Sequence, residues 1–172
     1  VSDSDYGEYF GFTDQEVRGL LSYYEMEELY PVVKEWYDGY QFGKEEIYCP
    51  WDVLNYIREH IGDRNVPPKL YWINTSGNEI VKKLIRRADS GMRDEIEQLI
   101  EGKSITKEIH MEMTYKDLDD PREGEADTKK ENLWSILYTT GYLTSKTPSS
   151  DGRHYNLEIP NKEIRAIFVM QV

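Results

Sequence analysis

Residues 34–57 read "KEWYDGYQFGKEEIYCPWDVLNYI", and this stretch constrains the fold more than any other. Two glycines and one proline interrupt seven aromatic residues, two of them tryptophan. No single helix or strand accommodates those interruptions. Glycine serves where a helix must end in a left-handed turn, and proline serves where a helix begins. The spacing therefore predicts a helix ending near Gly39, a second break at Gly43, a short strand at "EEIYC", and a new helix from Pro50. The aromatics read as core, with Trp36, Trp51 and Tyr56 as its main members.

Upstream, Thr13 and Glu16 have capping-box spacing, and Val17, Leu20, Leu21 and Tyr24 follow at helical intervals. A second helix starts near Glu27 or Pro31 and carries Val32, Val33, Trp36 and Tyr37. The helix from Pro50 carries Trp51, Val53, Leu54, Ile57 and Ile61 and stops near Gly62. Ser76 and Glu79 form another capping pair before Ile80, Val81, Leu84 and Ile85. Residues 92–100 form an amphipathic helix closed by Gly102, and "SITKEIHMEM" alternates as an extended segment. "DLDDPREGEADTKK" is a solvated loop. The remainder reads helix "ENLWSILYTTG", strand "YLTSK", turn, strand "RHYNLEI", helix "NKEIRAIF", which is the order of a winged-helix tail. The fold class expected is α+β, mainly α-helical, with one small β-hairpin.

Composition narrows the function. A chain of 172 residues buries a core without staples, and 13% aromatic content argues for a folded chain. The net charge of −12 disfavours non-specific binding to nucleic acid. Cys49 is the one cysteine, so neither a disulfide framework nor a cysteine metal site can be built. This fits a cytoplasmic setting. No apolar run reaches the roughly 20 residues that span a bilayer, so no membrane partner is expected. The chain starts at Val1 without a basic-then-apolar leader and reads as a piece cut from a longer soluble protein.

Motifs that would carry chemistry are weak. "EGKS" at 101–104 resembles the end of a phosphate-binding loop, but Glu97 stands where the first glycine belongs. A helix precedes it and an extended segment follows, the reverse of what a phosphate cradle requires. Six carboxylates between Asp117 and Asp127 lack the glycine and glutamate of a calcium loop, since Arg122 and Thr128 hold those places. "DTK" at 127–129 matches a nuclease carboxylate–lysine pair only superficially, because it falls in a polar loop. His60, His110 and His154 are widely separated and form no ligand pair. Nothing supports a nucleophile built on Cys49. The block from Lys129 to Arg165 has six basic residues against four acidic ones, a thin stripe for a DNA-binding wing. Arg153 and His154 are the wing residues placed to touch a phosphate.

Several segments occur in an order that resembles a known family. They are "EYFGFTDQEVRGLLSYY", "VKEWYDGYQFG", "IYCPWDVLNYI", "YWINTSGNEIVKKLI", "MTYKDL", "NLWSILYTTGYLT" and "EIPNKEIRAIF". Together they resemble the C-terminal half of the predicted AAA-ATPase-like family of bacterial proteins. That resemblance implies an ATPase core upstream and, in many members, a PD-(D/E)XK nuclease-like domain downstream. The Walker A and Walker B elements are not in this sequence. The chain would then hold a helical lid-like segment (1–64), a helical and extended connector ending in the acidic loop (65–127), and a winged-helix-like unit (128–172), or all of these as one body. Members commonly have Asn-Pro-Trp-Ser where this chain has Cys49, Pro50, Trp51 and Asp52. Cysteine caps poorly, although Asp52 favours the same helix start through the dipole.

The resemblance implies a non-catalytic regulatory or interaction fragment of a predicted ATPase. It implies no cofactor in this fragment, and ATP with Mg for the parent protein. The partners implied are the protein's own ATPase core and nuclease-like domain. Asp38, Gly39, Tyr40 and Phe42 are the residues implied to face nucleotide or the ATPase core. By analogy alone, Arg18, Lys34, Arg86 and Arg87 are cations that could face phosphate. The alternative is a free-standing winged-helix module that binds nucleic acid or protein. An independent enzyme is the weakest reading, because no acid–base or nucleophile constellation survives.

Overall fold

The computed structural model describes residues 11–42, 45–72, 82, 85, 86, 88–111, 126–147 and 151–171, with the side chains of Phe42 and of residues 126–132 excepted. The expected Ser76–Glu79 cap and the loop from Asp117 to Glu125 lie outside these residues. The chain divides into two compact units. One comprises Val1–Thr75 with Pro160–Ile167, the other Ser76–Ile159 with Phe168–Val172. Residues 1–64 fall in the first unit, 65–127 in both, and 128–172 in the second apart from Pro160–Ile167. The class is α+β and mainly helical.

The first unit opens with β1 (Phe12–Thr13) and α1 (Asp14–Tyr23). The capping box is complete: Glu16 N–H donates to Thr13 Oγ1 at 3.3 Å, and Thr13 N–H donates to Glu16 Oε2 at 2.9 Å. A short 3-10 turn (Glu27–Leu29) leads into α2 (Tyr30–Tyr37). β2 (Tyr40–Phe42) and β3 (Glu45–Tyr48) follow, then α3 (Pro50–Gly62). The sheet is antiparallel in the order β1-β3-β2, with Tyr40 and Thr13 both registered on Ile47. Only β3 was legible as a strand in the sequence. β2 is three residues long, and Gly39 and Gly43 made it look like punctuation.

Val17, Leu21, Met26, Val33, Tyr37, Tyr48, Val53, Tyr56 and Ile57 form the core of this unit. Tyr56 is buried as expected, but Trp51 is not: it is 61% exposed. α3 has apolar residues on two faces, and the inward face is the one with Val53, Tyr56 and Ile57, accompanied by buried Asp52, Asn55 and His60. A helix of 3.6 residues per turn then sends Trp51, Leu54, Arg58 and Ile61 outward.

In the second unit, α4 (Ser90–Ile100) is capped by Asp89, whose Oδ1 accepts from Met92 N–H at 2.9 Å. Met92, Ile96 and Leu99 are its buried face. Gly102, at φ 86°, ends it in a Schellman turn, with Lys103 N–H donating to Gln98 C=O. "EGKS" is therefore a helix end. β4 (Ile105–Glu108) pairs antiparallel with β5 (His154–Leu157), which places Ile105 opposite Leu157. Toward residues 142–146, β5's neighbourhood keeps one bridge, Thr144 to Glu158. The wing's main partner strand is thus the "SITKE" segment, which joins Ile105 and Leu157 in the core.

α5 (Ala126–Thr139) starts earlier than its apolar pattern suggested, so Asp127–Lys129 fall on helical backbone rather than in a loop. Alanine and lysine are good helix formers, which explains the extension. Leu133, Trp134, Ile136 and Leu137 of α5 are buried. α6 (Lys162–Gln171) closes the chain.

Candidate functional site

The glycine–aromatic elbow of the first unit is a buried joint. α2 ends at Asp38 in extended backbone, and Gly39 turns at φ 101°, a region that disfavours side chains. A Cβ on Gly39 would lie 2.1 Å from the Pro160 carbonyl oxygen. Beside it, Asn161 Nδ2 donates to the Asp38 carbonyl at 2.9 Å. Asn161 Oδ1 also accepts from Ile164 N–H at 3.0 Å and so caps α6. The turn from Pro160 to Asn161 therefore fills the open side of the elbow and starts the last helix.

Asp38 is buried, and burial pushes its carboxyl up, although the Gly39 N–H and Lys34 pull the other way. Its Oδ2 is 3.4 Å from Lys34 Nζ, while Oδ1 has no partner. Tyr40 is also buried. Its hydroxyl lies near Cys49, Asp52, Glu163 and Asn161, and burial holds it far above the usual phenol range. Phe42 ends β2 opposite Glu45, and its side chain lies outside the described residues.

Next to Tyr40 is an arrangement that the sequence did not disclose. Asp52, in the first turn of α3, and Glu163, in the first turn of α6, are both fully buried and within hydrogen-bonding reach of each other. Trp72 N–H donates to Glu163 Oε1 at 2.7 Å. Apart from each other, the Cys49 thiol and the Tyr71 N–H, Glu163 Oε2 and the two Asp52 oxygens have no partner among the described residues. Burial, reinforced by the Asp52 charge, pushes the Glu163 carboxyl up to about 8, and burial raises Asp52 too. The Cys49 thiol adjoins Asp52, and burial pushes it up to about 12, so it stays protonated and unreactive near neutrality. In sequence, Asp52 and Glu163 look like ordinary first-turn acids, and nothing local marks them as buried.

Two of the four cations suggested by analogy, Arg18 and Lys34, are engaged. Arg18 Nε lies 2.7 Å from Asp14 Oδ2, and its guanidinium lies 3.6 Å from the centre of the Tyr30 ring. Lys34 Nζ is 3.7 Å from Asp14 Oδ1 as well as close to Asp38. Tyr30 and Tyr48 hydroxyls donate to the same Asp14 oxygen, at 2.5 and 2.8 Å. Partial burial pushes Asp14 up, but the hydrogen bonds from Tyr30, Arg18 and Tyr48 together hold it well below the usual carboxylate range. Arg86 is exposed, and Arg87 lies outside the described residues.

At the wing, Arg153 and His154 are both exposed, and both backbone N–H groups donate to Asp151 Oδ1. His154 Nδ1 is 2.6 Å from Asp151 Oδ2, a contact that raises the imidazole's proton affinity. His60, in α3, is buried, with Nδ1 2.9 Å from the Tyr56 carbonyl.

Among the described residues, no group of three or more His, Cys, Asp or Glu side chains is arranged to hold a metal. No described helix is long and apolar enough to cross a membrane. Among the described residues of the first unit, the outer face of α3 exposes three large apolar side chains, Trp51, Leu54 and Ile61, at 61%, 47% and 60%. They recur at the spacing of a helix–helix seam, with Arg58 between them. Comparison with known proteins returned no matching family model, curated protein or solved structure.

Proposed function

We propose that this chain is a non-catalytic regulatory and interaction segment of a larger ATP-dependent protein of the AAA-ATPase-like kind. It lies between an upstream ATPase core, which binds ATP and Mg, and a downstream nuclease-like domain, in the cytoplasm. The order of motifs supports the family, and the outer face of α3 carries the functional reading. Three large apolar side chains at helical spacing are exposed on a well-packed helix, which marks an interaction surface. The occupant is the protein's own ATPase core. The elbow supports this from within: Asp38, Gly39 and Tyr40 set the start of α3 through a joint that Pro160 and Asn161 close.

The test uses the full-length protein and its isolated upstream region. Binding of the 172-residue chain to that region is measured by calorimetry, with and without nucleotide. Trp51→Ser combined with Leu54→Glu should abolish binding while leaving the circular dichroism of the chain unchanged. Undiminished binding removes α3 as the surface. Absence of a phosphate-binding loop in the preceding region removes the ATPase reading itself.

The alternative, a winged-helix module for nucleic acid, has less support. Arg153 and His154 share their turn with Asp151, and His154 is already paired with it. A duplex DNA titration at low salt should show no salt-dependent binding.

A further inference from the structure

Ionised carboxylates accept hydrogen bonds and cannot donate them. Asp52 and Glu163 face each other fully buried, and among the described residues no Lys, Arg or His forms an ion pair with either. If both were charged, two like charges would face each other out of water with no cation paired to either among the described residues. One proton resolves the conflict: it makes one carboxyl a donor to the other and removes one charge. We propose that Asp52 and Glu163 hold a single proton between them. This proton is a catch that keeps the first turn of α6 and the segment ending at Trp72 closed on the start of α3.

The inference is independent of the ATPase reading. The geometry of the catch is explicit. Glu163 Oε1 accepts from Trp72 N–H, the Glu163 carboxyl is within hydrogen-bonding reach of the Asp52 carboxyl, and Asn161, two residues earlier, holds the Asp38 carbonyl. Loss of the proton sets the two helix starts against each other. The titratable groups facing the pair from the surrounding elements are Tyr37, Tyr40, Tyr71 and Cys49. All four are pushed up by burial and stay neutral near pH 7, so none supplies a compensating charge. The N–H groups of Trp72 and Tyr71 favour ionisation of Glu163, the Cys49 thiol that of Asp52, and each helix dipole its own first-turn acid, but the mutual repulsion of two buried charges opposes ionising both.

A carboxyl whose folded pKa is raised stabilises the fold fully below its unfolded pKa and loses that contribution as pH rises. The window here runs from the ordinary carboxyl range up to about 8. Within it, the folding equilibrium constant should fall by up to about tenfold per pH unit, the signature of one proton. Urea unfolding of the intact chain between pH 5.5 and 8.5 reads that slope. Glu163→Gln and Asp52→Asn should each flatten it, because an amide donates without a proton from solvent. His154→Gln should leave it in place, which separates the catch from the exposed His154–Asp151 pair. Carboxyl carbon NMR of the wild-type chain at pH 6.5 should show one protonated carboxyl, a readout that survives even if the variants fold poorly. A flat wild-type profile, a slope unchanged in both amide variants, or a spectrum with every carboxyl ionised overturns the proposal.

Discussion

Gly39→Ala is the most informative single change at the elbow. The backbone there sits at φ 101°, beyond the small left-handed well that ordinary residues visit. Holding alanine at such an angle costs about 1–3 kcal/mol. The new methyl would also lie 2.1 Å from the Pro160 oxygen and 2.8 Å from its carbonyl carbon. Both are backbone atoms, so no side-chain rotation relieves the overlap, and overpacking of this kind costs a further 1–3 kcal/mol or so. Pushing Pro160 away also stretches the Asn161–Asp38 hydrogen bond, worth about 1 kcal/mol. The sum is about 3–7 kcal/mol, a large share of the 5–15 kcal/mol or so that holds a typical domain folded. Urea unfolding followed by circular dichroism at neutral pH measures it. Gly19→Ala is the control: Gly19 lies inside α1 with nothing within 4 Å of the added methyl, so it should gain about 0.5–1 kcal/mol. A Gly39→Ala variant within about 1 kcal/mol of wild type, against the sum expected from these terms, would falsify the account of the elbow.

Two further outcomes follow from named contacts. Asn161→Ala removes both the α6 cap and the bond to the Asp38 carbonyl, and should cost about 2 kcal/mol in the same assay. Asp14→Asn should cost only about 1 kcal/mol at pH 7, because the carboxylate is nearly half exposed and screened. Asp14 has a depressed folded pKa, so its contribution is complete above the ordinary carboxyl range and fades as pH falls below about 4. The wild-type and Asp14→Asn stabilities should therefore converge under strong acid, and a constant gap down to pH 2 would refute the network.

Legibility tracked the sequence distance over which each feature is decided. The Thr13–Glu16 capping box, the helix stop at Gly102 and the start at Pro50 are local, and all three could be read directly. Gly39 could be read as a break, but not what presses on it, because Pro160 returns from the far end of the chain. β2 was hidden because three residues carry too little alternation to announce a strand. α3 is the clearest case. Its sequence offers apolar residues on both faces, and periodicity alone put Trp51 in the core. The inward face instead contains Asp52, which is buried against Glu163. A helix-face assignment that depends on a distant carboxyl cannot be made from hydrophobic spacing.

The same dependence ties the elbow to the acid pair. Four consecutive residues, Pro160 to Glu163, do four separate jobs. Pro160 closes over Gly39, Asn161 caps α6 and holds Asp38, Lys162 Nζ reaches Glu35 Oε1 at 2.6 Å, and Glu163 meets Asp52 and Trp72. Their partners lie on α2, on the turn after it, on the start of α3 and on the segment before residue 73. Moving any one of these elements strains the same short turn. Neighbouring contacts that share a backbone are where energetic additivity fails. A partner seated on the outer face of α3 would therefore act on the acid pair through the helix that contains both Trp51 and Asp52. Those two residues are adjacent, one facing solvent and the other facing Glu163, and a helix turn is too stiff to let one shift without the other.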